Sequence, residues 1–328
     1  MTKALLTLFV MVLSISCKKN QEDNIFAFED DGRAREYILH IPENIKPNAP
    51  LVFVLHGLGG TNSLIREYTR MDMVADKNGF VVCYPQGTGS SENTIYTKKG
   101  SSFWNVGYET HKNETVDDLS FIKSLAIYLQ QEYNLDPEKT FCTGMSNGGD
   151  MSYLLGCEAP DIFKAIAPIT GCMMGWIYES CNKNDPVPVF QVHGTADNTT
   201  YYDGDVNNRD KWGAYMGVET TIKFWVDRNQ CAVSSIDTLA DIDKKDGSYI
   251  ITEKYTNGIN NNEVWFYKVI NGGHDWPQGW PRNSGNQDLN TSEEIWKFFQ
   301  HSMDTQTPQG KQEIHVCFSD YNLKVRPT

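Results

Sequence analysis

The chain has 328 residues, of which 40% are hydrophobic and 12% aromatic, so it can bury a large core in one large domain or two smaller ones. Its 29 basic and 42 acidic residues give a formal charge of −13, and no basic block of useful length occurs. This charge argues against nucleic acid and against an anionic membrane surface as partners.

The first 17 residues have the features of a signal peptide and are excluded from the predicted fold. Lys3 supplies positive charge, residues 4–15 form an apolar run too short to span a bilayer, and Ser16 precedes Cys17. A small residue before a cysteine resembles a bacterial lipobox, although Leu13 lies one place further upstream than that pattern requires. We expect export with a lipid anchor at Cys17, at the outer membrane or cell surface; the alternative is a periplasmic or secreted protein.

The remaining chain divides into three predicted parts. Residues 18–32 are interpreted as a polar tether, residues 33–304 as one folded domain, and residues 305–328 as an extension without an assigned role. No internal repeat and no long linker interrupts the domain.

Seven cysteines besides Cys17 make disulfides possible in an exported protein, but their odd number leaves at least one thiol unpaired within the chain. Cys83 and Cys142 lie in predicted central strands and are expected to be packed thiols. Cys172 and Cys181 flank a short loop and are the expected local pair. No C-x-x-C spacing indicates a zinc site.

From residue 33 onward, strand-like and helix-like patterns alternate. Strands are predicted at 35–41 (an edge strand), 51–55, 80–84, 139–142, 165–169, 187–192 and 264–269, with one or two further runs after 237. Helices are predicted at 63–78, 116–133, 151–155, 220–229 and 292–301. This alternation, with glycine-rich loops after the strands, indicates an α/β fold with a mostly parallel central sheet and helices on both faces.

The segment GMSNG at 144–148 follows a predicted strand and precedes a predicted helix. It matches the G-x-S-x-G nucleophile elbow, in which small neighbours allow a sharp turn to expose the central serine. We therefore predict Ser146 as a nucleophile; the alternative is a glycine-rich turn whose serine caps the helix.

Asp197 and His274 also follow predicted strands, at the edge where an open α/β sheet forms its site. The chain order Ser–Asp–His is that of the α/β-hydrolase triad, with His274 as the base and Asp197 as the carboxylate that orients it. The alternatives, listed by role, are Asp203 or Asp205 for the carboxylate and His193 or His111 for the base.

An oxyanion hole needs fixed backbone N–H donors beside the nucleophile. Asn147 N–H directly follows Ser146, and Leu58 N–H or Gly57 N–H in the loop after the 51–55 strand would supply the second donor. The alternative for this glycine-rich loop is a tight turn without a catalytic role.

Eight motifs in order give the chain a resemblance to a known family. They are HGLGG (56–60), YPQG (84–87), FWN (103–105), DDLSFI (117–122), GMSNGG (144–149), AIAP (165–168), HGTAD (193–197) and GHDWP (273–277). Together they resemble the polyhydroxybutyrate depolymerase and feruloyl esterase group, carbohydrate esterase family 1 of the α/β-hydrolases, over residues 33–303. The resemblance implies the triad and oxyanion loop already named; the NGG sequence at 271–273 and the tail depart from its pattern.

Several aromatic residues lie on the predicted active-site loops. Trp104, Trp276, Trp280 and Tyr201 are candidate substrate contacts, because aromatic walls suit a hydroxycinnamoyl group or a sugar ring. The alternative for each is packing.

The resemblance implies a serine esterase that cleaves feruloyl or acetyl esters of plant polysaccharides through an acyl-enzyme, without cofactor or metal, and the N-terminal segment predicts that it is exported. The expected partner is an ester of a plant cell-wall oligosaccharide, and contact with a membrane is expected only through the lipid anchor. One alternative is a polyhydroxybutyrate depolymerase with the same triad and another pocket. The other is a non-catalytic glycan-binding surface lipoprotein, against which the presence of all three triad residues argues.

Replacing Cys17 by Ser should release the protein from the membrane fraction, because the acyl chains of a lipoprotein are attached to that cysteine. Fractionation of expressing cells measures this release, with Cys231→Ser as the matched control. Unchanged membrane partition of the Cys17 variant would contradict the lipid anchor.

Overall fold

The structure is a computed structural model that describes residues 25–94, 98–181, 185–281 and 285–306. The predicted signal peptide, Cys17, the first part of the tether and residues 307–328 lie outside the described residues.

Twelve strands and seven α-helices are described. The strands are β1 (Ile25–Asp30), β2 (Arg33–His40), β3 (Leu51–Leu55), β4 (Val81–Pro85), β5 (Thr88–Gly89), β6 (Ser102–Phe103), β7 (Thr140–Met145), β8 (Ala165–Ile169), β9 (Val189–Gly194), β10 (Val233–Thr238), β11 (Tyr249–Thr256) and β12 (Val264–Ile270). The helices are α1 (Asn62–Thr69), α2 (Met71–Asn78), α3 (Asp118–Glu132), α4 (Asn147–Glu158), α5 (Gly175–Ser180), α6 (Val218–Asn229) and α7 (Thr291–Gln306).

Ten of these strands form one sheet in the order β1-β2-β4-β3-β7-β8-β9-β12-β11-β10. The six central strands, from β4 to β12, are parallel to one another, and two antiparallel strands flank them on each side. Because parallel strands place their carboxyl ends at one edge, the loops after β3, β7, β8, β9 and β12 meet there. The predicted mostly parallel sheet is confirmed.

Helices cover both faces of the sheet, as predicted. Alternate residues of β3 enter different cores: Leu51, Phe53 and Leu55 pack with α3, α4, α5 and α6, whereas Val52 and Val54 pack with α1, α2 and α7. This alternation follows from the two-residue period of a strand, and a strand buried on both faces must be apolar throughout.

Two predicted elements differ at the first edge of the sheet. Residues 25–30, assigned to the tether, form β1 and pair with β2, so β2 is not the edge strand. The polar tether predicted after Cys17 thus extends too far: Phe26 stacks on Tyr37 and Phe28 packs against Phe121, and these contacts hold the segment on the domain.

The predicted helix at 63–78 is two helices. Arg70 takes a left-handed conformation between α1 and α2, with φ of 52°, and its guanidinium lies 3.5 Å from the centre of the Trp280 ring. The break thus falls at a residue that contacts a ring distant in sequence, and residues 63–78 contain no glycine or proline that would predict it.

The predicted disulfide was wrong. Cys181 pairs with Cys157, at a Cα–Cα distance of 5.3 Å, because α4 carries Cys157 to the end of α5. Cys172 is a buried free thiol, and Cys83 and Cys142 are buried free thiols as predicted. Burial raises the pKa of the Cys142 thiol to about 12.

In the part of the chain that the structure describes, no helix is both long enough and apolar enough to span a bilayer.

Candidate active site

Ser146 lies at the turn from β7 to α4, half-buried, with φ of 56° and ψ of −123°. A non-glycine residue with positive φ is strained, and such strain concentrates at functional turns. The turn requires glycines on both sides: a Cβ on Gly144 would collide with the Gly148 carbonyl, and a Cβ on Gly148 with the Leu55 carbonyl. The local geometry is that of a nucleophile elbow.

Asp197 and His274 are joined by a hydrogen bond of 2.8 Å between His274 Nδ1 and Asp197 Oδ2. The other carboxylate oxygen, Oδ1, accepts the backbone N–H groups of Thr199 and Thr200 at 2.8 and 2.9 Å. The Asp197 carboxylate is buried, whereas His274 remains partly exposed. With Nδ1 directed at the carboxylate, His274 Nε2 is the nitrogen left for a substrate or nucleophile.

His193 is a second histidine in contact with the Asp197 carboxylate. Its ring is fully buried, with Nε2 2.9 Å from the Thr200 carbonyl and 3.4 Å from Asp197 Oδ2. Since a carbonyl only accepts, Nε2 carries the hydrogen, and Nδ1 accepts from Gln191 Nε2 at 3.3 Å. Burial favours a raised pKa at Asp197, but hydrogen bonds from His193 and His274 outweigh it and hold that pKa below its usual range.

The sequence suggested His193 only as a competitor for the role of base. Its actual contacts are with Asp197 and the 197–200 turn, so the structure assigns it to the carboxylate. The sequence signal for this role was the position of His193 four residues before Asp197 in the HGTAD motif. Neither His111 ring nitrogen has a described partner, and that ring packs 4.0 Å from the Phe103 ring.

The predicted oxyanion loop lies against Ser146. A Cβ built on Gly57 would lie 3.4 Å from Ser146 Cβ and 3.9 Å from its Oγ. Neither Leu58 N–H nor Asn147 N–H donates a hydrogen bond to another described residue. Two backbone donors beside a serine are what a developing oxyanion needs.

Buried polar contacts fix this loop. His56 Nδ1 donates to the Gly57 carbonyl at 2.8 Å, and its Nε2 accepts the Gly87 N–H at 2.9 Å. Burial lowers the pKa of His56 to about 4, so the ring is neutral. Its two hydrogen bonds hold the loop at a fixed position relative to Gly87. Trp104 Nε1 donates to the His56 carbonyl at 2.9 Å, and the Asn147 side chain bonds both the N–H and the carbonyl of Trp104.

Two of the predicted substrate contacts are corrected by these positions. Trp104 is completely buried between the oxyanion loop and Asn147, and Trp276 is 2% exposed in the core beside α7. Both rings pack and neither offers surface to a substrate. Tyr201 is partly buried against the core, with the Arg209 guanidinium 5.5 Å from its ring.

Trp280 is 38% exposed and borders an open cleft of about 340 Å³ next to Ser146. The walls of the cleft are largely apolar, and Met145, directly before the serine, forms part of them. Leu64 and Tyr68 of α1 and Gly57 of the oxyanion loop also line the cleft. A concave apolar surface beside a reactive side chain suits a small organic group.

Asp150 is a buried carboxylate that the sequence analysis missed. It lies in the first turn of α4, accepts the Tyr108 hydroxyl, and accepts the Cys172 N–H at 2.6 Å. Asp150 thus ties the elbow helix to the loops that carry Tyr108 and Cys172. The signal available in the sequence was an acidic residue directly after the glycine pair of the elbow.

A serine at a strained turn, an imidazole held by a carboxylate and two backbone donors can perform nucleophilic acyl transfer. Within the described residues, no group of three or more His, Cys, Asp or Glu side chains is arranged to hold a metal ion.

Asp150→Asn should change how stability depends on pH. Burial raises the pKa of Asp150 to about 6 from 3.8, and its hydrogen bonds offset this only in part. Between these values the folded protein keeps the proton that the unfolded chain releases, so stability from protonated Asp150 is lost as pH rises through 6. The difference in unfolding free energy, variant minus wild type, should therefore rise from pH 4 to 6 and then level off.

Urea denaturation between pH 4 and 8 measures this difference, and the exposed Asp161→Asn is the matched control. If the difference in unfolding free energy for Asp150→Asn stays constant with pH, burial of the Asp150 carboxylate does not raise its pKa and the prediction is wrong.

The comparisons with known proteins concern both sequence and fold. The model of the prolyl oligopeptidase family (Peptidase_S9) matches residues 67–204, which include Ser146 and Asp197 but not His274. Among curated relatives, a bifunctional acetylxylan esterase/xylanase of Neocallimastix patriciarum is 28% identical over 53% of this chain and 23% of its own. A protein named "probable feruloyl esterase C" of Aspergillus oryzae is 29% identical over 57% of this chain and 64% of its own. An acetylxylan esterase of Coprinopsis cinerea is 30% identical over 58% of this chain and 49% of its own.

The chain thus spans less than two thirds of the length of these curated relatives. Among solved structures, acetyl xylan esterase from Aspergillus awamori aligns with a TM-score of 0.56 and 16% identity, covering 84% of this chain and 98% of that one. At this identity the alignment concerns the fold. The comparisons confirm the predicted resemblance to the feruloyl esterase group, and the chain has the α/β-hydrolase fold.

Proposed function

We propose that the chain is a serine carboxylic-ester hydrolase that cleaves feruloyl or acetyl esters of plant polysaccharides. Ser146 Oγ attacks the ester carbonyl while His274 takes its proton, and Asp197 stabilises the imidazolium that forms. The N–H groups of Asn147 and Leu58 stabilise the oxyanion. The tetrahedral intermediate collapses, the alcohol leaves with the proton from His274, and the acyl group remains on Ser146. Water activated by His274 then releases the acid and restores the serine.

One observation carries this proposal: the 2.8 Å hydrogen bond between His274 and Asp197, at the same sheet edge as the strained Ser146 turn. Three loops from β7, β9 and β12 contribute one residue each. A binding protein gains nothing from a strained serine turn, whereas a nucleophile needs it. The non-catalytic alternative is therefore disfavoured.

The substrate class is supported by two further points. The relatives are named for acetylxylan and feruloyl esters, and the cleft beside Ser146 is walled by Trp280, Tyr68 and Leu64. An apolar cleft with an indole at its rim suits the flat ring of a hydroxycinnamoyl group better than a flexible hydroxybutyrate chain. We rank carbohydrate esters above polyhydroxybutyrate on this ground.

We also propose that the protein is exported and anchored through Cys17. The disulfide between Cys157 and Cys181 supports export, since such bonds persist in oxidising compartments.

Ser146→Ala should remain folded and lose turnover of 4-nitrophenyl acetate, because no other hydroxyl lies at the elbow. The loss should be about 10³-fold or more, as expected for a group that acts as part of a triad. Labelling by a fluorophosphonate probe should disappear in this variant and persist in the exposed control Ser120→Ala. Labelling that persists in Ser146→Ala would identify another nucleophile.

Trp280→Ala should lower kcat/KM for methyl ferulate by roughly tenfold, because the variant loses an aromatic contact in the cleft. Turnover of 4-nitrophenyl acetate, whose acyl group does not fill the cleft, should change little. Ile236→Ala, an exposed change on β10, is the control.

The same assays should include acetylated xylan and a hydroxybutyrate oligomer. A clear preference of the wild type for the hydroxybutyrate oligomer would overturn the ranking of substrates. An unchanged ferulate rate in Trp280→Ala would remove this ring from the acyl site.

A further inference from the structure

Trp176 is an exposed aromatic side chain at the edge of the sheet that carries Ser146. It is the second residue of α5, shortly after β8, and 44% of it is exposed. Strand β8 neighbours β7, and both run in the same direction, so their carboxyl ends lie side by side. The side chain therefore lies on the rim of the proposed active site.

The indole of Trp176 is held in one orientation. Its Nε1 donates to the Val106 carbonyl at 2.7 Å, so the polar atom is satisfied by the protein and the ring cannot rotate freely. A single exposed aromatic residue needs no explanation in itself. Here, however, a second element is shaped around it.

That element is the turn at Gly107, where φ is 80°. A Cβ at this position would lie 2.6 Å from Trp176 Nε1, so any other residue would displace the indole. The same segment begins at Trp104, which bonds the Asn147 side chain beside the nucleophile. The exposed ring is thus fixed relative to Ser146 by a short run of buried contacts.

Helix α5, which carries Trp176, and helix α1, which lines the apolar cleft, cover opposite faces of the sheet that carries Ser146. The cleft is formed with α1, whose buried side packs in the core shared with α2 and α7. Helix α5 packs in the other core, with α3, α4 and α6. An ester bound with its carbonyl carbon at Ser146 has an acyl part and an alcohol part. If the acyl part occupies the cleft, the alcohol part extends towards α5.

We propose that Trp176 is a platform on which a sugar ring of the alcohol part of the substrate stacks. The C–H groups on one face of a pyranose are apolar and pack on a flat indole, while its hydroxyl groups remain in water. A ring that is already immobilised loses little entropy on binding. This inference rests on the proposed function and extends it to the alcohol side of the ester.

The test compares two esters with the same acyl group: an acetylated xylo-oligosaccharide and 4-nitrophenyl acetate. Trp176→Ala should lower kcat/KM for the oligosaccharide roughly three- to tenfold, mainly through KM, because one aromatic contact is lost. The nitrophenyl ester should be hydrolysed at the wild-type rate. Trp176→Phe keeps an aromatic face and should lie between the two.

Tyr128→Ala is the matched control, an exposed aromatic on α3 that packs against Phe28. It should leave both rates unchanged. Equal loss with both esters in Trp176→Ala would mean that the residue is structural, and unchanged rates would mean that it does not contact sugar; either result overturns the proposal.

Binding without turnover separates this proposal from the proposed function. Unesterified xylohexaose should bind Ser146→Ala, and the additional change Trp176→Ala should weaken that binding, as measured by calorimetry. Weakened binding supports the platform even if the wild type hydrolyses no ester. Equal binding by both proteins overturns it even if the esterase activity is confirmed.

Discussion

The close approach of α4 to β3 is the constraint on which the site depends. Gly148, in the first turn of α4, faces the carbonyl groups of Leu55 and His56 with no room for a side chain. Helix α4 therefore packs directly against the end of β3. The chain enters this helix through Ser146, whose φ is positive. The same contact brings Gly57 beside the serine. The contact between α4 and the end of β3 therefore positions both Ser146 and the loop that would bind the oxyanion.

Buried polar groups then hold the parts that the sheet brings together. Asp197 has every oxygen engaged, by two backbone N–H groups and two histidines. On the other side of the serine, neutral His56 bridges its own loop to Gly87, and Asn147 bonds Trp104. A buried polar group without a partner costs stability, so each satisfied pair favours one arrangement of the loops over others. The site is thereby pre-organised before any ligand arrives.

The two cores give the site its asymmetry. On the α1, α2 and α7 side, the rim is apolar and concave, with Trp280 stacked under the Arg70 guanidinium. On the α3 to α6 side, the exposed indole of Trp176 donates a hydrogen bond to the Val106 carbonyl and is the proposed platform. A cleft and a platform make different demands on a ligand: the first encloses an apolar group, and the second leaves hydroxyl groups in solvent. The ester bond would lie where these two surfaces meet.

Elements with strong periodicity and residues with a local sequence signature could be predicted without the structure. The strands at 51–55 and 165–169 have the predicted bounds. Both are buried on both faces, so each is a continuous apolar run whose ends are clear in the sequence. Ser146 could be chosen because glycine spacing encodes its turn, and Asp197 and His274 because each follows a strand of a parallel sheet. These signals lie within a few residues of the position that they identify.

Features that depend on contacts between residues distant in sequence could not be predicted in this way. Spacing suggested Cys172 as the partner of Cys181, but packing of α4 against α5 selected Cys157. Trp104 and Trp280 have the same chemistry and similar loop positions, yet one is completely buried and the other is 38% exposed. Burial is set by which elements meet in three dimensions, and a side chain carries no local mark of whether its ring will face a core or solvent.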